Sequence, residues 1–169
     1  MSKISLSGRA WKFRDNISTD EITPGRYISL RSNVPELAKH TLEDARAEFP
    51  TSVRPGDYVV AAKNFGMGSS REHAPLVIKT CGVRAVLALS FARIFYRNAI
   101  NIGLPALICD TTQVDEGDQL ELHLSEGYVE DLTKGTRIHF PKMSKTMEAI
   151  LNEGGLIPYV EKHGDLLLA

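Results

Sequence analysis

Residues 63–75 read Lys63-Asn64-Phe65-Gly66-Met67-Gly68-Ser69-Ser70-Arg71-Glu72-His73-Ala74-Pro75. Two hydroxyls, a guanidinium, a carboxylate and an imidazole fall within the five residues 69–73. Gly66 and Gly68 allow a sharp bend that presents backbone N–H groups. This density of polar chemistry, placed between two apolar elements, suggests a site for an anionic substrate. A structural alternative stands beside it. Ser69-x-x-Glu72 fits a capping box, in which two side chains satisfy helix N-terminal amides. Pro75 argues against a cap at Ser69, because it would then lie beyond the first turn, where its missing N–H matters. Pro75 fits better at the first helical position, near Ala74. Ser69, Ser70 and Arg71 would then lie in the loop, near a positive helix terminus. The pattern alone leaves both readings open.

Other chemistries fit worse. Gly66-x-Gly68-x-x-Arg71 lacks the third glycine of a dinucleotide fingerprint and the lysine of a P-loop. No Gly-x-Ser-x-Gly nucleophile elbow occurs. His40, His73, His123, His139 and His163 show no zinc spacing and read mostly as surface residues; only His73 is near the loop. Arg93 and Arg97, at i and i+4, read as solvent-facing charge.

The elements that must position the loop follow from periodicity. An opening strand is expected over residues 8–13, then a polar loop over 15–26 rich in turn formers. A helix is expected over 36–46 with Leu37 and Leu42 as anchors, and a strand over 58–62 after the turn Pro55-Gly56-Asp57. Beyond the glycine loop, Ala74, Val77, Ile78 and Cys81 share one helix face, stopped by Gly82. A buried strand over 83–89 follows. A second helix presents Phe91, Ile94, Phe95 and Ile102 on one face and stops at Gly103, and a short strand covers 105–109. This β-α-β-α-β series implies an α/β fold with a parallel core sheet. The last third reads differently. Leu120, Leu122 and Leu124 alternate as in a half-exposed strand, Gly127 and Gly135 mark turns, and Ile138 and Phe140 continue the β pattern. Met147, Ile150 and Leu151 mark a final helix ending at Gly154-Gly155. No linker interrupts the chain, so residues 1–169 read as one domain.

Composition narrows the functions. A chain of 169 residues can bury a full core. A net charge of −1 gives no global attraction to nucleic acid or membrane. The start, Met1-Ser2-Lys3-Ile4-Ser5-Leu6, has no apolar leader core, and no apolar run approaches the about 20 residues of a membrane span. Cys81 and Cys109 read as buried thiols in a reducing cytoplasm. Two cysteines cannot hold an iron–sulfur cluster unaided, so no metal ligand set is assigned to this chain.

Three stretches together resemble a known family. The run 66–74 is similar to the glycine-serine-arginine loop of the swivelling domain of the aconitase superfamily. Asp15-Asn16-Ile17-Ser18-Thr19-Asp20-Glu21-Ile22 resembles that domain's other signature, near its start. Ser90-Phe91-Ala92-Arg93-Ile94-Phe95-Tyr96-Arg97-Asn98 and its continuation to Pro105 resemble the version in stand-alone small subunits of 3-isopropylmalate dehydratase. The ending 148–156 fits the same subunits. The resemblance covers nearly the whole chain, in order.

The resemblance implies a single swivelling β/β/α domain, a parallel sheet with helices and additional strands. It also implies half of a lyase. A separate large subunit would carry a [4Fe–4S] cluster, and this chain would bind no cofactor itself. The reaction would be reversible dehydration and rehydration of a small hydroxy acid, isomerising 2- and 3-isopropylmalate in leucine and branched-chain amino acid biosynthesis, in the cytoplasm. The pair of subunits would form a heteromer with no nucleic-acid or membrane partner. Ser69 matches the family's catalytic base, an alkoxide that needs positive charge and oriented amides. Arg71 matches its carboxylate-binding arginine, whose planar fork suits a bidentate clamp. Ser70 and the loop amides are expected to supply donors, and Asp20 to orient the cluster; its alternative reading is a turn-capping aspartate. Which of Thr19 and Asp20 meets substrate stays open.

Two positions depart from the pattern. Met67 stands where many such subunits have Cys. After Pro24-Gly25-Arg26 comes Tyr27-Ile28-Ser29-Leu30-Arg31, in the loop that faces the variable part of the substrate in this family. Ile28 and Leu30 suit a branched alkyl group around Ser29, whereas Arg31 could meet a third carboxylate or lie in solvent. The rival readings are a homoaconitase or methyl-substituted-malate dehydratase small subunit and, in another class, a non-catalytic anion-binding module.

Overall fold

A computed structural model describes residues 7–164; the opening segment 1–6, on which the expectation of no apolar leader core rests, lies outside them. The strands are β1 (Ser7–Lys12), β2 (Tyr58–Val60), β3 (Ala85–Ala88), β4 (Ala106–Ile108), β5 (Gln119–His123), β6 (Tyr128–Asp131) and β7 (Thr136–His139). They form one sheet in the order β4-β3-β2-β1-β5-β6-β7. β1 to β4 pair in parallel; β5, β6 and β7 extend the sheet antiparallel from the other side of β1. The parallel half follows from the crossover helices α4 (His73–Thr80) and α5 (Arg93–Asn101), because parallel neighbours need a long connection. The antiparallel half follows from the tight turns at Gly127 and Gly135, both at positive φ.

The strand period divides the core in two. Trp11, Val59, Val86 and Ala106 stand in register across the parallel strands and join the cluster that holds Ala74, Val77 and Ile78 of α4 and Phe95, Ala99 and Ile100 of α5. Their neighbours Ala10, Tyr58, Val60, Leu87 and Leu107 belong to a second cluster with Leu120, Val129, Ile138 and Phe140 of the antiparallel part. One apolar cluster therefore runs across both the parallel and the antiparallel half of the sheet. Tyr58 ties the halves: its buried hydroxyl accepts the backbone N–H of Leu122 at 2.9 Å, and burial pushes its pKa up to about 12.

Three expectations need correction. The helix expected over 36–46 is only α2 (Val34–Ala38). Leu42 does anchor, fully buried, but at φ +57, with its N–H donated to the carbonyl of Ile22. A tight turn, not a helix, delivers it to the core. The polar segment 15–26 is not all loop: α1 (Thr19–Ile22) starts at Ser18, whose hydroxyl accepts the N–H of Glu21 while Glu21 accepts that of Ser18. The face expected on the second helix also differs. Phe91 precedes α5, bridged to Phe65, and Ile94 is 51% exposed; Phe95, Ala99 and Ile100 are the buried face. After the short helix α3 (Phe49–Ser52) and the expected α6 (Lys145–Asn152), the chain adds α7 (Leu156–His163) beyond the double glycine.

Candidate active site

The loop leaving β2 is held between two other segments. On one side Lys63 donates its N–H to Asp15, Gly66 to the carbonyl of Ile17, and Thr19 donates its N–H to Met67. On the other, Phe65 donates to Ser90 and its carbonyl accepts from Ala92. Gly66 has φ +84, and a Cβ there would sit 2.3 Å from Cγ of the buried Phe95. Only glycine allows the loop to lie on that ring. Gly68, at φ +105, is the second bend.

α4 starts at His73, with Glu72 as N-cap and no side-chain cap bond, so Ser69 and Glu72 do not form a capping box. Pro75 is the third helical residue, within the first turn whose N–H groups have no intrahelical partner. Ser69 and Ser70 are therefore exposed loop residues, and the backbone N–H of Arg71 closes a tight turn onto the Ser69 carbonyl at 2.8 Å.

Arg71 organises what surrounds them. Its Nε donates to Ser69 Oγ at 3.2 Å, and its Nη1 donates to the Thr23 carbonyl at 2.7 Å and lies 3.1 Å from Asp20 Oδ1. Asp20 Oδ1 also accepts the N–H of Gly25 at 3.0 Å. Asp20 thus accepts a turn N–H and pairs with the guanidinium through the same oxygen. Thr19, buried, donates from Oγ1 to the Ser69 carbonyl at 3.0 Å, and its Oγ1 lies 3.5 Å from Ser69 Oγ. A guanidinium donor aimed at Oγ stabilises negative charge there.

Two clefts open on either side of Arg71. One, of about 300 Å³, is lined by Thr19, Gly66, Gly68, Ser69, Ser70 and Arg71 together with the start of α5. The other, of about 280 Å³, is lined by Ser70 and Arg71 with Thr23, Pro24, Ile28 and Arg31. Ile28 is 60% exposed, an apolar side chain presented rather than buried. Ser29 is exposed, while Leu30 packs partly against the core. The chain thus places Ser69, Ser70, Arg71, Thr19 and Asp20 together, adds Ile28 and Arg31 across the arginine, and turns Leu30 inward.

Sequence reasoning did not find Thr23, whose carbonyl fixes Arg71, or Arg93 and Asn98, which line the serine cleft from α5. The carbonyl carries no side-chain signal. Arg93 has one, its i, i+4 pairing with Arg97, but that spacing fits solvent-facing charge equally well. The cysteines are free; Cys109 is buried and its thiol pushed up to about 12, and Cys81 is half-buried.

Residues 12–111 match the aconitase C-terminal domain family. The 3-isopropylmalate dehydratase small subunit 2 of Archaeoglobus fulgidus is 62% identical over 163 residues, 96% of this chain and 99% of that protein. The small subunit 1 of the same enzyme from Thermotoga maritima is 52% identical, covering 94% of this chain and 96% of that protein. A solved structure of 3-isopropylmalate dehydratase from Methanocaldococcus jannaschii superposes with a TM-score of 0.88 at 44% identity, over 94% of this chain and 95% of that one. That organism also has an isopropylmalate/citramalate isomerase small subunit 48% identical to this chain, over 93% of it and 94% of that protein. The loop, the mixed sheet and these likenesses agree: the chain belongs to the aconitase C-terminal domain family, among the small subunits of 3-isopropylmalate dehydratase.

Proposed function

We propose that this chain is the small subunit of a heteromeric hydro-lyase that interconverts 2- and 3-isopropylmalate in leucine biosynthesis. The observation that carries the reading is Arg71 Nε donating to Ser69 Oγ at the mouth of a cleft. In this proposal Ser69 Oγ, as an alkoxide held by Arg71 and near Thr19, takes the proton from the carbon beside a substrate carboxylate. That proton ends on Oγ, the hydroxyl on the neighbouring carbon leaves with the electron pair of its C–O bond to the Lewis acid that the large subunit would supply, and both are returned to the double bond on rehydration. Nη2 of Arg71, with the Ser70 hydroxyl, binds a carboxylate oxygen. Asp20 and the Thr23 carbonyl keep the guanidinium plane fixed. Ile28 meets the alkyl branch, and Arg31 lies where a more acidic substrate would place a further carboxylate.

The chain's own thiols do not suit a [4Fe–4S] cluster: there are two, and Cys109 is buried with a raised pKa. The cluster and its Lewis-acid chemistry are assigned to the large subunit, and this chain contributes base, clamp and alkyl contact as one domain. No helix among the described residues is long and apolar enough to cross a membrane. Free thiols agree with a reducing cytoplasm.

The test is reconstitution with the cluster-bearing large subunit, followed by kcat/KM on isopropylmalate, citramalate and homocitrate-type acids. Turnover fastest on isopropylmalate supports the proposal. Preference for the tricarboxylate would favour the homoaconitase reading, and anion binding without turnover the non-catalytic one.

A further inference from the structure

We propose that Glu121, His123 and Glu130, on the antiparallel face far along the chain from the serine loop, form a binding site for one divalent transition-metal ion of the Zn²⁺ class.

The register creates the cluster. Glu121 of β5 is directly cross-strand from Glu130 of β6, and His123 is cross-strand from Tyr128. Glu121 and His123 are two residues apart, so both project from the same face of β5. Two carboxylates directly opposite each other destabilise a sheet unless positive charge lies between them. The positive side chain on the next strand does not take that place: Arg137, cross-strand from Glu130, lies with its guanidinium 4.5 Å over the ring of Tyr128.

The donor geometry suits an ion. One ligand atom from each of the three residues lies within 4.8 Å of the others. His123 Nε2 is 3.0 Å from Glu121 Oε1 and 3.7 Å from Glu130 Oε2. Donors about 2.0–2.1 Å from a tetrahedral ion stand about 3.4 Å from one another, a value these two distances bracket. His123 Nε2 is closed to solvent and makes no hydrogen bond, although Glu121 is so near. The carboxylates therefore flank the nitrogen rather than lie on the line of an N–H···O bond, as ligands around a shared ion do. Tyr128 stacks on the imidazole at 4.6 Å and 22°, which fixes the ring plane. All three side chains are half-buried, with relative exposures of 25%, 26% and 32%, leaving room for water as fourth ligand.

One imidazole and two carboxylates select a borderline cation. Ca²⁺ and Mg²⁺ want more oxygen ligands than the site supplies. Bound there, the ion would clamp β5 to β6.

The experiment uses the full chain, stripped of metal, titrated with Zn²⁺ by calorimetry and with Co²⁺ by visible absorption. One equivalent should bind near neutral pH and raise the melting temperature. Glu130→Gln and His123→Asn should each weaken binding at least about tenfold, the loss that even an outer partner of a metal ligand produces, and should remove the thermal shift. His139→Asn, which changes a histidine beside Tyr128 but not in the cluster, should keep both. Circular dichroism of each variant shows whether it is folded. Zn²⁺ binding in the wild type no tighter than in folded Glu130→Gln overturns the proposal. So does a Co²⁺ complex with thiolate charge-transfer bands, which would place the ion on Cys81 or Cys109.

Discussion

The Nε of Arg71 donates to Ser69 Oγ at 3.2 Å, while the Thr23 carbonyl and Asp20 hold the other side of the guanidinium through Nη1. Arg71 is thus oriented before any substrate arrives. Its Nε reaches the serine oxygen, and its Nη2 is the part that the proposed carboxylate contact would use. One side chain connects the group proposed to move the proton with the group proposed to bind the anion.

Ser69→Ala should lower kcat of the reconstituted enzyme by at least about 10²-fold, the scale of a general-base contribution. Melting should hardly change, because Ser69 caps no helix; a lost cap would instead cost about 1 kcal/mol and spare the rate. Measuring kcat and melting temperature on one preparation separates the two, and an unchanged rate refutes the base assignment.

Arg71→Lys should raise KM and lower kcat together. An ammonium is a point donor and cannot reach Ser69, Thr23, Asp20 and a carboxylate at once. A rise in KM at constant kcat would limit Arg71 to the clamp and remove its role at the serine.

Gly66→Ala should disrupt the loop from below. The added methyl meets Phe95 at 2.3 Å, and the backbone sits at φ +84. Overpacking of this kind costs about 1–3 kcal/mol, visible in denaturant unfolding, and the displaced loop should lose turnover. A variant as stable and active as the wild type would contradict the described contact.

Ile28→Ala should lower kcat/KM for isopropylmalate more than for citramalate, which carries the smaller alkyl group. Losing part of a buried branch is worth about 1–2 kcal/mol, roughly a five- to thirtyfold drop. An equal effect on both acids would show that Ile28 does not meet the alkyl branch.

Asp118 and Asp131 predict a pH effect on stability. Asp131 is fully buried; desolvation and the neighbouring Asp118 push its pKa up, whereas that of Asp118 is lowered by hydrogen bonds, including from Lys134, despite desolvation. A raised folded value contributes stability that is complete below the unfolded value and is lost as pH rises through the folded one. The lowered value of Asp118 works oppositely, its contribution being lost as pH falls through it. Asp131→Asn keeps the uncharged shape, so its stability relative to the wild type should improve as pH rises through the Asp131 range. Parallel urea midpoints across that range would refute the pairing.

The sequence alone carried the local features. Gly66 and Gly68, the apolar period of α4 and the β-α-β-α-β order each depend on neighbours a few residues away, so the chemistry-bearing loop and the parallel half were legible. Even local reading had limits where competing signals were similar. The Ser18–Glu21 capping box passed for loop because its helix has only four residues, and Leu42 passed for a helix position because spacing does not reveal a positive φ. Tertiary structure decided the rest. Arg71 meets Thr23 across 48 residues through a backbone oxygen, and no residue type encodes that partner. Glu121 faces Glu130 only in one hairpin register, since a slip of one residue would turn each strand's side chains to the opposite face. Ile28 and Leu30 look alike in sequence, yet the turn that carries them presents one at a cleft and packs the other inward. Side-chain type states what chemistry is available; the backbone path and strand register decide which groups meet.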